Sequence, residues 1–178
     1  MKNIKTPLVC VAFAASFMTY TQAQNTFRDW EGGVSDDWVD NLNWQDDIIP
    51  SGAEATARIY NSDISTPSTP NNTVLKAGAS ANLKNVWIGN SNDPLESGNL
   101  TVESTATLTT TENFVMENNS KLTSSGAISV GNTNGIIVRD TSNVTLKNGS
   151  TLNRLALGDN STATLESGSS VTEIANLG

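Results

Sequence analysis

The chain has 178 residues, with 10 basic and 18 acidic side chains, no histidine and one cysteine. A net charge of −8 works against nucleic acid and anionic membrane surfaces, both of which are gripped through clustered Lys and Arg. With no histidine, and with Cys10 inside a leader-like stretch, Ser-His-Asp and Cys-His nucleophilic sites and the usual zinc sites are excluded.

Residues 1–23 read as a secretory signal peptide. Lys2 and Lys5 give a positive start, 7–17 is a short apolar run, and Thr21-Gln22-Ala23 ends in a small residue suited to cleavage. The apolar run is too short to span a bilayer, and nothing later is long enough, so no membrane insertion is expected. Removing the leader removes the only cysteine. Stability must then come from burial and backbone pairing and not from disulfides.

Residues 24–60 differ from the rest. They hold Trp30, Trp38 and Trp44, with Asp36, Asp37, Asp40, Asp46 and Asp47 between and after them. Weak alternation over 55–60 predicts a first strand. Residues 61–74, with Pro67 and Pro70 among Ser and Thr, predict a loop. From 75 to 178 the chain repeats itself. Leu146 and Leu165, Gly149 and Gly168, Leu152 and Val171, and Leu155 and Ile174 are each 19 residues apart. Leu75, Leu83, Val86, Ile88 and Gly89 offer an earlier copy of Leu146, Leu152, Leu155, Leu157 and Gly158. Val102–Leu108, Leu122–Ile128, Leu146–Leu152 and Leu165–Val171 share a spacing of six, and 133–135 reads as a loop insertion in the longest interval.

A period near 20 carried by β-formers and glycine predicts a solenoid of strands. Leu100/Val102, Phe114/Met116, Ile128/Val130, Ile136/Val138, Val144/Leu146 and Leu155/Leu157 alternate with polar residues, which sends each pair to one face. Six residues between anchors leave no room for a helix, so the chain must wind. Gly-Asn at 89–90 and 131–132 and Gly-Asp at 158–159 are expected corners, where stacked amides can bond from coil to coil.

These coils, with the Trp30-Glu31-Gly32-Gly33, Trp38, Asn43-Trp44 and Pro50 opening, are similar to the pectin-lyase-like right-handed parallel β-helix. More narrowly they resemble the passenger, or autotransporter-type, repeats of bacterial secreted surface proteins. The resemblance implies an all-β, right-handed parallel β-helix with about 20 residues and three strands per coil, and some five coils stacked at about 4.8 Å. It implies a Trp-rich N-terminal cap over 24–60 and coils over 75–178. The last coil stops at Gly178, so a piece of a longer protein is expected, as a monomer or associating end to end through an open coil.

Carboxylates are the only catalytic or metal candidates left. Glu103, Glu117, Asp140, Asp159, Glu166 and Glu173 are scattered singly, and apart from the mixed Arg154/Glu173 pair no acid is expected to repeat at the same offset in neighbouring coils. Lys147 and Glu166 share an offset and are expected to pair. Asp36, Asp37 and Asp40 form the densest group, a candidate Ca²⁺ site, although their spacing is that of no known Ca²⁺ loop. Trp30, Trp38, Trp44 and Trp87 are candidates for stacking on sugar rings; core packing is the usual fate of such residues. Trp87 lies between Val86 and Ile88 and must point the other way. The expected function is a non-catalytic structural or adhesive module of an exported bacterial surface protein, at the outer surface or outside the cell, with polysaccharide or a surface glycan as partner and no cofactor unless Ca²⁺. The alternatives are the N-terminal piece of a β-helix polysaccharide lyase or glycoside hydrolase, and a carbohydrate-binding module.

Overall fold

A computed structural model describes residues 26–60, 72–90 and 96–177. The expected leader over 1–23 lies outside them, as does most of the loop expected over 61–74. Two residues of that loop, Thr73 and Val74, already belong to a strand.

The chain is all-β with parallel sheets, an arrangement consistent with a β-helix or solenoid. β1 (Thr26–Asp29) and β2 (Gly52–Ile59) come first, separated by the tryptophan-rich segment and its two 3₁₀ turns, Asn41–Asn43 and Gln45–Asp47. β1 was hidden in the sequence, and β2 starts three residues before the expected strand. β3 (Thr73–Leu75) and β4 (Ser80–Ile88) make the next pass of chain. Two passes carry three strands each: β5 (Asn99–Val102), β6 (Thr107–Thr110) and β7 (Phe114–Met116), then β8 (Lys121–Ser124), β9 (Ala127–Val130) and β10 (Ile136–Val138). Two more carry two: β11 (Asn143–Leu146) with β12 (Thr151–Leu157), and β13 (Thr162–Leu165) with β14 (Ser170–Asn176). β3, β5, β8, β11 and β13 form a five-stranded sheet, and the other strands form the second sheet.

Every pairing between these strands is parallel. The first half of β4 pairs with β6 and its second half with β7, and β12 divides in the same way between β9 and β10. A long strand therefore does the work of two, and three strands per pass is only part of the pattern.

Parallel pairing in register puts equivalent side chains one above another, about 4.8 Å apart. Leu75, Val102, Ser124, Leu146 and Leu165 form one such column. Ala81, Leu108, Ile128, Leu152 and Val171 form a second. Val86, Phe114, Ile136, Leu155 and Ile174 form a third. The columns face one interior, and Leu75, Val86, Phe114, Ile136, Leu146 and Leu155 are fully buried there. Burying a side chain of this size stabilises by about 1.5–3 kcal/mol. In the pass of β13 and β14, which among the described residues pairs on one side alone, Leu165 is 41% and Ile174 55% exposed.

Two registers differ from the spacing read in the sequence. Leu122 stacks with Leu100 and Val144, not with Val102 and Leu146; Ser124 takes that place. The corner Ser124-Ser125-Gly126 is two residues shorter than Val102–Thr107, and Gly126 is why it closes. A Cβ on Gly126 would lie 2.5 Å from the carbonyl oxygens of Glu103 and Ala106. The Ser124 hydroxyl donates to the Gly126 carbonyl at 3.1 Å, which settles its polar atom in the interior. Likewise Leu83 stacks with Thr110, and Ala81, not Leu83, shares the column of Leu152. The period is also wider than 20 early on: Leu75 to Val102 is 27 residues, Val102 to Ser124 and Ser124 to Leu146 are 22, and Leu146 to Leu165 is 19.

Amides bond along the stack, and two of the expected corners take part: the Asn118 amide donates to the Asn90 carbonyl, and Asn132 belongs to a longer ladder. The Asn132 amide donates to Asn113 Oδ1 at 3.1 Å, that of Asn113 to Asn85 Oδ1 at 3.0 Å, and that of Asn85 to Thr56 Oγ1 at 3.0 Å. This ladder ties four passes together at the corner where the second sheet bends. Asn85 is buried, so each unmade bond there costs its full desolvation.

Phe114→Ala is expected to lower the free energy of unfolding in urea by about 3–5 kcal/mol. Leu165→Ala, on the exposed last pass, is expected to cost less than about 1 kcal/mol; equal losses would mean the two sites are not in the environments described. Asn85→Ala is expected to cost about 1–3 kcal/mol in the same titration, and a neutral effect would show the ladder to be idle.

Candidate functional site

The three early tryptophans pack on one another. The Trp30 and Trp44 rings are 5.0 Å apart and nearly perpendicular, the Trp38 and Trp44 rings 4.8 Å apart, and the Trp44 indole N–H donates to the Trp38 carbonyl at 2.7 Å. Exposure is 4%, 1% and 0% for Trp30, Trp38 and Trp44, so none of them offers a face to a sugar, and as binding candidates they are withdrawn. Their edge-to-face contacts suit the ring quadrupoles. The same segment runs onto the edge of β3: the Val74 N–H donates to the Asp36 carbonyl at 2.7 Å and the Trp38 N–H to that of Val74 at 2.9 Å. Asn43 holds the segment in shape, its side chain accepting from the N–H groups of Val34 and Ser35 and donating to Ser35 Oγ and the Asp37 carbonyl.

The candidate calcium ligands are engaged elsewhere. Asp36 faces Lys76 at 3.0 Å and the hydrogen bond between them raises the Lys76 pKa. Asp37 accepts from the Val39 N–H, and Asp40 caps the first 3₁₀ turn while accepting from the Ser35 hydroxyl. Among the described residues no group of three or more Asp, Glu, His or Cys is arranged to hold a metal ion.

The expectation that no acid repeats at one offset in neighbouring coils is overturned, and by the 19-residue period itself. Asp140 and Asp159, 19 residues apart, stack at one corner above Asn118, and all three have left-handed backbone with φ of 57°, 54° and 56°. Asp140 Oδ2 accepts from the Asn118 N–H at 3.0 Å, and Asp159 Oδ2 from the Asp140 N–H at 3.4 Å. These are turn ladders, with each carboxylate spent on the backbone of the pass before it. Of the two expected ion pairs, Arg154 and Glu173 meet at 2.9 Å; Lys147 and Glu166 are not among the ion pairs of the described residues.

Trp87 is the expected residue that the structure places differently from the other tryptophans. Val86 and Ile88 on either side are fully buried, and alternation turns the indole outward, where it is 37% exposed. Parallel pairing sets it beside Arg58 on one strand and Val115 on the other. One side of the ring meets Phe27, with centroids 5.7 Å apart. Trp87, Arg58 and Val115, with Tyr60, Asn90, Asn113, Glu117 and Arg139, line a cleft of about 400 Å³.

The cleft walls are charged in pairs. Arg58 holds Asp29 through two bonds of 2.5 and 2.7 Å, and its guanidinium lies 5.0 Å over the Phe27 ring and 5.7 Å over that of Tyr60. Arg139 meets Glu117 at 3.4 Å; the Arg139 side chain is half exposed and that of Glu117 only 15%. Burial, with the nearby Asp29 carboxylate adding to it, pushes the Tyr60 phenol up to about 12. Sequence reasoning missed Arg58, Tyr60 and Arg139, and named Glu117 only as one of the scattered acids. The available signal was positional: Tyr60, Glu117 and Arg139 each follow the last inward residue of a strand, Ile59, Met116 and Val138.

No helix among the described residues is long and apolar enough to cross a membrane.

Absorbance titration of the phenolate is expected to show Tyr60 ionising near pH 12, against 10 for an ordinary tyrosine, with Tyr60→Phe identifying the signal. The folded phenol keeps its proton more tightly than the unfolded one. Its contribution to stability is therefore complete below pH 10 and is lost as pH climbs through 12. Ionisation at pH 10 would contradict the burial described.

Compared with known protein families, with characterised proteins and with solved structures, the chain finds no match.

Proposed function

We propose that this chain is a right-handed parallel β-helix module of an exported bacterial surface protein, with a structural or adhesive role and no catalysis of its own. The observation that carries the reading is the in-register parallel stacking of side-chain columns over five passes, which gives a stiff rod with a largely apolar interior. Right-handedness follows from the general preference of parallel strand crossovers. The Trp30, Trp38 and Trp44 cluster, lying on the edge of β3, caps that end of the five-stranded sheet, covering backbone groups that would otherwise invite another strand. The leader-like 1–23 supports export, and a net charge of −8 supports solubility outside the cell. The engaged state of Asp36, Asp37, Asp40, Asp140 and Asp159 favours a scaffold over an acid-driven hydrolase.

Antibody raised against the purified chain is expected to stain intact cells that make the protein, and protease added to those cells is expected to remove the signal. Signal confined to the lysed-cell fraction would overturn the surface assignment.

A further inference from the structure

The outward face of the second sheet carries an unusual combination near its first passes. A half-open indole shares one cleft with two guanidinium groups, each paired with its own carboxylate. We propose that the cleft around Trp87 is a binding site for a neutral sugar ring, presented by a glycan chain. This stands on the cleft alone and does not depend on the rod reading above.

The geometry argues it in three steps. First, Trp87 is exposed where the other three tryptophans are buried, and one side of its ring rests on Phe27. An indole left partly in water forfeits burial free energy, and an axial C–H face of a pyranose ring is a partner that restores it while leaving the hydroxyls outward. Second, the volume of about 400 Å³ falls within the range of small-ligand sites and suits one or two sugar units. Third, the charges cancel locally. Arg58 is satisfied by Asp29 in a two-bond pair, and Arg139 lies 3.4 Å from Glu117. An anionic ligand would have to displace a carboxylate already in place. A neutral vicinal diol need not, since one hydroxyl can accept from Arg139 while its neighbour donates to Glu117. Charge-assisted bonds of this kind are the strong ones in sugar recognition, and the partly buried Glu117 is less able to trade them for water. Arg58, fixed over Phe27 and Tyr60, serves as a rigid wall whose position costs nothing further on binding.

Titration of the full chain with neutral oligosaccharides of glucose, xylose and mannose tests this, read by calorimetry and by tryptophan fluorescence. The three buried tryptophans should stay silent, so any change reports Trp87. Binding of at least one neutral series is expected, weakened at least about tenfold by Trp87→Ala and by Glu117→Gln, and unchanged by Lys147→Ala on the other sheet. Near-ultraviolet circular dichroism from the Trp30, Trp38 and Trp44 cluster checks the fold of each variant. If Trp87→Ala loses that signal, Glu117→Gln and Arg139→Ala carry the test. The proposal is overturned by no binding of any neutral series at about 10 mM, by preference for oligogalacturonate or a nucleoside, or by folded variants that bind as the parent does.

Discussion

Each strand in the middle of this chain finds its hydrogen-bonding partners in the pass before and the pass after, and always in parallel. That single constraint decides what every side chain meets. A residue stacks on the residue of the neighbouring pass that shares its rung, as Leu146 does on Leu165, while side chains at the corners bond from pass to pass, Asn113 to Asn85 and Asp159 to the Asp140 N–H. The interior is a set of apolar columns, the corners are ladders of amides and carboxylates, and the outer faces inherit whatever lies between. Nothing else among the described residues is required to explain the long-range order of the molecule.

The corners allow the passes to differ in length without disturbing the columns. Gly78, Thr105, Gly149 and Gly168 take left-handed backbone at one corner, and Asn118, Asp140 and Asp159 at another. Glycine does so without a Cβ clash, and Asn and Asp tolerate it through local hydrogen bonds. Where a corner must be shorter, as at Ser124-Ser125-Gly126, a glycine is placed against two carbonyls that no side chain could approach. Where it is longer, as before Gly135, the Asn132 side chain accepts from the N–H groups of Asn134 and Gly135 and fills the loop from within.

The fold was legible where the chain repeats without interruption. Leu146 with Leu165, Leu152 with Val171 and Leu155 with Ile174 pair as their 19-residue spacing required. It was less legible where corners change length. Leu122 was aligned by its hydrophobicity, but a serine held the rung that a leucine was expected to hold. β1 was hidden because Thr26–Asp29 has no apolar alternation to reveal it; it is held by pairing with β2 and by the Asp29–Arg58 bond. The outward turn of Trp87 could be read from its neighbours, because alternation is local. The rest of the cleft could not. Arg58, Glu117 and Arg139 are brought to Trp87 by pairing across passes of 29, 28 and 22 residues, and unequal intervals leave no periodic trace.

Because strands pair only with those of the adjacent passes, the chain can change length in evolution inside a corner or by whole windings, but not by single residues inside a strand. Loss of one residue from within a strand would turn the remainder of that strand inside out. Loss or duplication of an entire pass would leave each remaining neighbour with a familiar surface, at the expense of a single interface. Recombination between similar windings is therefore a route by which such a gene can lengthen or shorten its product while the fold survives.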